Sequence, residues 1–220
     1  MEFLDHEGLL DAEHLDMLDL ASGNLRFAAF LSDAYPHQDA TVYAVDDCAD
    51  LALNYPNAHF QNLDIIACLL EGAPLAELID APPCDVSVCF GFMHHIPGQE
   101  NRARVLESLL DKTKTGSFVI VSFWMFLNNE TLAEKAAVTH AQALGALSLS
   151  ETEIAALDEG DYLLERKNTV DSYRYCHNFT AADIDALIAS VEHRALVAAR
   201  FIADGRTNNL NAYVILQKTQ

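Results

Sequence analysis

The sequence predicts an α/β fold: a seven-stranded, mostly parallel sheet with helices on both faces and a C-terminal antiparallel hairpin. Three observations lead there. Short apolar or β-branched runs ending in an acid alternate with amphipathic stretches, the rhythm of a parallel sheet covered on both sides. The segments between the runs are long enough for right-handed strand–helix–strand crossovers. The chain then closes on two strand-like runs flanking a Gly/Asn turn, a hairpin that adds an antiparallel member.

The elements follow in order. Residues 16–20 form a short apolar run broken by Gly23 and Asn24, and residues 25–34 carry a helical face of Phe27, Phe30 and Leu31. TVYAVDD (41–47) is a second strand ending in acid, and residues 49–53 suit a short helix stopped before Pro56. Asn62-Leu63-Asp64 closes a third strand region; residues 65–79 read as a helix that Pro74 breaks or kinks. DVSVCFGF (85–92) is the fourth strand and its exit. Pro97 suits the first turn of a helix running to about Leu110. Gly116 leads into SFVIVSFW, the fifth strand. Residues 130–157 read as mostly helical, with a Ser150–Glu153 capping box, and Thr180 with Asp183 caps another helix. Between them, residues 158–180 read as irregular chain or short strands. Residues 197–203 and 212–216 are the hairpin strands, joined by a turn at 205–209.

Composition sets the class. The 220 residues are 51% apolar and 21% charged, with mean hydropathy +0.08, a globular composition. One domain over residues 1–220 is expected, with 125–179 a cap or substrate-side insertion. Thirteen basic against thirty-three acidic residues give a net charge of −20. Such a surface repels free nucleic acid at long range, so no unaided nucleic-acid binding is expected, while a local basic patch or a protein partner stays open. Five cysteines without regular spacing form no disulfide framework. No apolar run is long enough to span a membrane, and the start MEFLDHEG lacks the basic flank of a signal peptide, so a cytoplasmic protein is expected.

Four constellations carry chemistry. In LDLASGNLRF (18–27) a strand turns tightly at Gly23 into a helix N-terminus, and the Asp19 carboxylate orients the turn or accepts from a ligand amine. Asp46-Asp47, at the end of the second strand, is placed to bind two ribose hydroxyls; dinucleotide folds use the same logic, so the pair alone names no cofactor. FGFMHHIPG (90–98) lies at the sheet edge where open parallel sheets bind ligands. His94 and His95 are adjacent, so one of them points inward, for hydrogen bonding or for catalysis; with no Asp, Glu or Cys nearby in sequence, no metal role is assigned. DSYRYCHNFT (171–180) gathers Arg174, Tyr175 and His177 in a chain poor in cations, and Trp124 either walls the same cleft or packs in the core.

The order DLASGN, VYAVDD, NLD, FGFMHHIPG resembles the Rossmann-like class I S-adenosylmethionine (SAM)-dependent methyltransferases, most closely the branch of wobble-uridine tRNA carboxymethyl methyltransferases and their bacterial relatives. The resemblance spans residues 17–123 and resumes at RYCHNFTAADIDAL. It implies SAM as cofactor. Its methionine part falls to Asp19, Ala21, Gly23 and Asn24, its ribose to Asp46 beside Asp47, and its adenine to residues 62–65, Asp64 and Ile65 among them. Residues 90–95, from Phe90 to His95, border the methyl group and the acceptor, and His95, Arg174, Tyr175 and His177 are the catalytic candidates. Ala21 and Leu25 stand where the family usually has glycines, and Leu25 is expected to narrow the site. Few residues precede the first strand, so covering the cofactor is assigned to residues 130–157. The expected activity is methyl transfer to a small acceptor, a carboxylate-bearing one included. The alternatives are a partner-dependent tRNA methyltransferase and a non-catalytic binding protein on the same fold.

Overall fold

The computed structural model describes every residue except 1–2, 4–5, 49, 51–57, 167–171 and 207. The helix expected at 49–53 lies outside the described residues apart from Asp50, as do Lys167 and Asp171. Five strands run parallel: β1 (Leu15–Leu20), β2 (Ala40–Asp46), β3 (Ala58–Asn62), β4 (Cys84–Cys89) and β5 (Thr113–Trp124). The hairpin strands β8 (Ala195–Ala203) and β9 (Asn211–Lys218) complete a seven-stranded sheet in the order β3-β2-β1-β4-β5-β9-β8, with β9 antiparallel to both neighbours. The order reverses between β1 and β4, and the crevice at the carboxyl ends of those strands is where open α/β sheets bind ligands.

Period-two alternation sorts the strand side chains onto two faces. Leu18, Leu20, Val45, Val119, Val121 and Phe123 pack in one cluster with Val105, Leu106 and Leu109 of α4 (Gln99–Asp111) and with Ile184 and Leu187 of α7 (Ala181–Ser190). Met17, Val42, Ala44, Val86, Val88, Phe118 and Ile120 face the other way, against Ala28 and Leu31 of α1 (Arg26–Ala34).

Several helices are shorter than their sequence patterns. Residues 65–79 form α2 (Ile65–Leu70) and α3 (Leu75–Leu78), with Pro74 at the N-cap of α3. The region 130–157 divides into α5 (Glu130–Ala146) and α6 (Glu151–Ala155), separated by left-handed Ser148 at φ 48°. Both expected capping boxes are present, Ser150 with Glu153 and Thr180 with Asp183. The segment read as irregular forms β6 (Asp161–Glu165) and β7 (Tyr173–His177), an antiparallel pair apart from the main sheet. The amide of Leu163 donates to His140 Nδ1 of α5 at 3.0 Å, and Tyr162 packs edge-on against Phe126 and His140.

A buried polar cluster joins this pair to the main layer. The Asp161 carboxylate accepts from Tyr175 Oη and His177 Nδ1, each at 2.6 Å, from the Asp158 amide at 3.0 Å, and from Arg102 of α4 at 3.5 Å. Arg102 also donates to Tyr175 Oη at 2.6 Å and to the Ile96 carbonyl at 2.9 Å, and its guanidinium lies over the Phe179 ring. Burial alone would raise the Asp161 pKa, but the His177 and Tyr175 donors outweigh it and hold the carboxyl below its usual range.

Removing one member of a buried charge pair strands the other. Asp161→Ala is expected to lose about 3–5 kcal/mol in urea unfolding. Asp111→Ala, which breaks the exposed pair with Arg194, is expected to lose less than about 1 kcal/mol. Equal losses in the two variants would contradict the anchoring role of Asp161.

Candidate functional site

The first loop is built on left-handed backbone. Ala21, Gly23 and Leu25 have φ of 61°, 54° and 59°. Glycine adopts this region freely, whereas each L side chain there costs on the order of 1 kcal/mol. The loop is fastened to β2: the Ala21 and Ser22 amides donate to the Val45 carbonyl at 2.8 and 3.1 Å. Leu25 does not narrow the site. Its side chain is fully buried in the cluster under α1, because a left-handed residue at the helix N-cap turns it inward. Around Gly23, nothing lies within 4 Å of where a Cβ would stand, so backbone is open to a ligand there.

Asp46 organises the next layer. Its Oδ2 accepts from the Gly23 amide at 2.8 Å, its Oδ1 from the Cys48 amide at 3.1 Å, and its carbonyl from the Leu63 amide at 3.0 Å. A carboxylate has roughly four acceptor sites, so two remain for a vicinal diol. Asp46 lines a small recess with Ala21, Asp47, Leu63, Asp64, Ile65, Ile66 and Phe92. The Asp64 side chain is spent on capping α2, accepting from the Ala67 amide at 2.8 Å. Exposed Asp47 has its pKa raised by partial desolvation and by the adjacent Asp46.

Asp19, near the end of β1, is 3% exposed and does not line this recess. No hydrogen bond to its carboxylate is formed among the described residues. Burial, and secondarily the Asp46 carboxylate, push its pKa up to about 7. Such a group is a ready acceptor for a ligand cation. Asn24 is exposed beside it in the loop and does not line the recess. Phe90 is also elsewhere: it shares the strand parity of Val86 and Val88 and packs edge-on against Phe27 and Tyr213 under α1. Phe92 lines the site in its place.

A larger cleft of about 700 Å³ adjoins the recess and shares Ile66 and Phe92 with it. Its other lining residues are His95, Pro97, Arg166, Tyr173, Arg174 and Tyr175. Of the candidates named from the sequence, His95, Arg174 and Tyr175 line this cleft together, whereas His177 and Trp124 do not. His177 is drawn inward by Asp161, since alternate residues of β7 share a face and Tyr175 and His177 both turn toward that carboxylate. Trp124 packs on His94 and Phe126. One wall of the cleft comes from β7 and from Arg166 just after β6, not from residues 130–157.

The two adjacent histidines differ. His94 is buried between Trp124 and His95 with an unpartnered Nδ1, and burial, His95 and Arg174 lower its pKa well below the ordinary value. His95 is half-buried, and its Nδ1 donates to the Tyr175 carbonyl at 3.0 Å. Burial, Arg174 and Arg166 lower its pKa, against the raising effect of that hydrogen bond. Sequence proximity offered no third metal-ligand type here, but the fold supplies one: Cys176 brings its sulfur to 3.7 Å from His95 Nδ1, and ligand atoms of His94, His95 and Cys176 lie within 4.8 Å of one another. In this arrangement the thiol is pushed up to about 11 by burial, and His95 Nδ1 is engaged by a carbonyl. Sequence reasoning missed Arg102 and Asp161. A signal for Arg102 existed, since it shares the helical face of Leu106 and Leu109.

No family model matches the chain, and no curated protein sequence does. Solved structures do. A SAM-dependent methyltransferase of Methanosarcina mazei is 16% identical, covering 98% of this chain and 97% of that one, with a TM-score of 0.65. One from Clostridium acetobutylicum is 10% identical, covering 100% and 90%, at 0.60. The N-methyltransferase NodS of Bradyrhizobium japonicum, solved with S-adenosyl-L-homocysteine, is 9% identical, covering 100% and 88%, at 0.53. The chain therefore has the fold of the class I SAM-dependent methyltransferases, and the comparisons indicate no wobble-uridine branch within it. No helix among the described residues is long and apolar enough to cross a membrane.

The raised Asp19 pKa makes the ligand-free protein pH-sensitive. A carboxyl whose folded pKa lies above its unfolded value contributes stability at low pH that is lost as pH rises through the folded pKa. From 3.8 to about 7 the loss amounts to roughly 4 kcal/mol, complete above neutrality. Asp19→Asn is expected to be more stable than wild type at pH 8, with the advantage shrinking toward pH 5 in urea titrations. An advantage constant across that range would contradict a buried, titrating Asp19.

Proposed function

We propose that this chain is a SAM-dependent methyltransferase acting on a small acceptor that carries a carboxylate. The observation that carries this reading is the junction at Ile66 and Phe92, where the Asp46 recess opens into the larger cleft. The residues fit the cofactor group by group. The free acceptor sites of Asp46 suit the ribose diol, the buried Asp19 suits the ammonium of the methionine part, and Leu63, Ile65 and Ile66 offer apolar contact to a purine. When bound, SAM supplies a methyl group on a positively charged sulfur, an already activated leaving group.

The protein's share is then to position the acceptor and exclude water. Arg174 is the natural holder of an acceptor carboxylate. The segment 125–179 acts as the substrate-side cap through β7, whose Tyr173, Arg174 and Tyr175 line the cleft. A tRNA acceptor needs several phosphate contacts, and the described cleft offers only Arg166 and Arg174 on a chain of net charge −20. That favours a small molecule over RNA.

Calorimetry with SAM tests the donor site. Binding near pH 7 is expected to release a proton, visible as a buffer-dependent enthalpy, because a cation beside Asp19 drives its carboxyl to the ionised form. Asp46→Ala is expected to weaken binding at least about tenfold, since it removes the diol acceptor and the Gly23 tether together. A wild-type protein that binds no adenosyl compound would favour a non-catalytic binding protein.

A further inference from the structure

Three features of the cleft bear on which acceptor it takes, resting on the methyltransferase reading above. The first is charge. Acids outnumber bases thirty-three to thirteen, yet Arg166 and Arg174 both line the cleft and, among the described residues, neither forms an ion pair. Of the other described lysines and arginines only Arg102, Lys114, Arg194 and Arg200 do, so what distinguishes Arg166 and Arg174 is that both stand on one cleft. Two unmatched guanidinium groups on one wall suit an acid group on the ligand.

The second is the His95 tautomer. A carbonyl oxygen only accepts, so the 3.0 Å contact with the Tyr175 carbonyl places the proton of neutral His95 on Nδ1. Nε2 is left with its lone pair and no hydrogen bond among the described residues. The charged and titratable groups around the ring are Arg174, Arg166, His94 and the Cys176 thiol, none of them a carboxylate. The ring therefore stays neutral and able to take a proton. A carboxylate acceptor has no proton to give; a hydroxyl does. The third is the lining: Phe92, Tyr173 and Tyr175 are aromatic, and Ile66 and Pro97 add apolar surface, a composition suited to packing a ring. A phenolic O–H, with a pKa of about 10, is far easier for a neutral imidazole to deprotonate than an aliphatic alcohol.

We infer that the acceptor is an aromatic hydroxy acid methylated on its hydroxyl oxygen, with its acid group on Arg174 and Arg166 and its hydroxyl proton passing to His95 Nε2. The phenolic oxygen forms the new O–CH3 bond as the methyl–sulfur bond breaks and its electron pair returns to sulfur. The proton moves to Nε2 and then to solvent, so the step needs no further reactant. His95 acts as the catalytic base, and the Tyr175 carbonyl is a positioning group that sets its tautomer.

The test uses the full chain with 4-hydroxybenzoate, 4-hydroxycinnamate, benzoate and phenol. Without SAM, the two hydroxy acids are expected to bind, and Arg174→Gln to weaken them at least about tenfold. With SAM, the product is expected to be an alkali-stable methyl ether. His95→Gln should keep hydroxy-acid binding within about threefold while kcat falls on the order of a hundredfold or more. The wild-type rate should hold as pH drops through 6.5, the ordinary histidine value, and decline only below it. An alkali-labile methyl ester, turnover of benzoate, equal use of phenol, or full activity in His95→Gln would each overturn the assignment, as would failure of both hydroxy acids to bind. Hydroxy acids that bind through Arg174 to a protein that does not bind SAM would support the acceptor class while sinking the methyl-donor reading.

Discussion

The Asp161 carboxylate is the ion on which the substrate side depends. A charge in a low-dielectric interior survives only with donors aimed at it. Here the Asp158 amide, Tyr175 and His177 of the paired strand β7, and Arg102 of α4, fifty-nine residues away, all converge on it. Satisfying one carboxylate therefore clamps the small β6–β7 sheet onto the helix layer of the main sheet. Tyr175, held by its hydroxyl, presents its carbonyl to His95 and helps line the cleft. The orientation of His95 is thus a consequence of how a buried charge is neutralised on the far side of the same strand.

Asp46 plays the corresponding part on the cofactor side of the sheet edge. Its carboxylate and carbonyl gather the amides of Gly23, Cys48 and Leu63, so the exits of β1, β2 and β3 are tied at one residue. Against that order stand features that cost stability: left-handed Ala21 and Leu25, and a buried Asp19 carboxyl that a second acid, Asp46, influences and that has no donor among the described residues. Local rules are broken where a site must stay open to a ligand. A cation bound beside Asp19 would stabilise its ionised carboxylate.

Much of the framework was legible because it is written in local periodicity. Strands β1, β2, β4 and β5 announce themselves as apolar runs, whereas β3, AHFQN, does not; the Ser150 and Thr180 caps are local signals that need no tertiary context. Phe90 shows how the same rule corrects a resemblance. Counting by twos from Val86 puts it beneath α1, and the sequence alone held that information. Arg102, too, was visible as a charge on the apolar face of α4, although not its partners. The breaks in residues 65–79 and 130–157 were harder, since one proline or one left-handed serine decides them and the amphipathic pattern continues past both.

What the sequence by itself determined is the alternation of strand and helix, the acids at the strand ends and the excess of negative charge, because each depends only on residue type and near-neighbour spacing. Only the tertiary structure decided which polar groups meet. His177 and Tyr175 share a strand face and both donate to Asp161, yet only Tyr175 also lines the cleft. Cys176 and the Tyr175 carbonyl reach His95 from about eighty residues away. No spacing rule contains such contacts, because they follow from where one strand pair packs against one turn, and that packing is set by a buried charge and its donors.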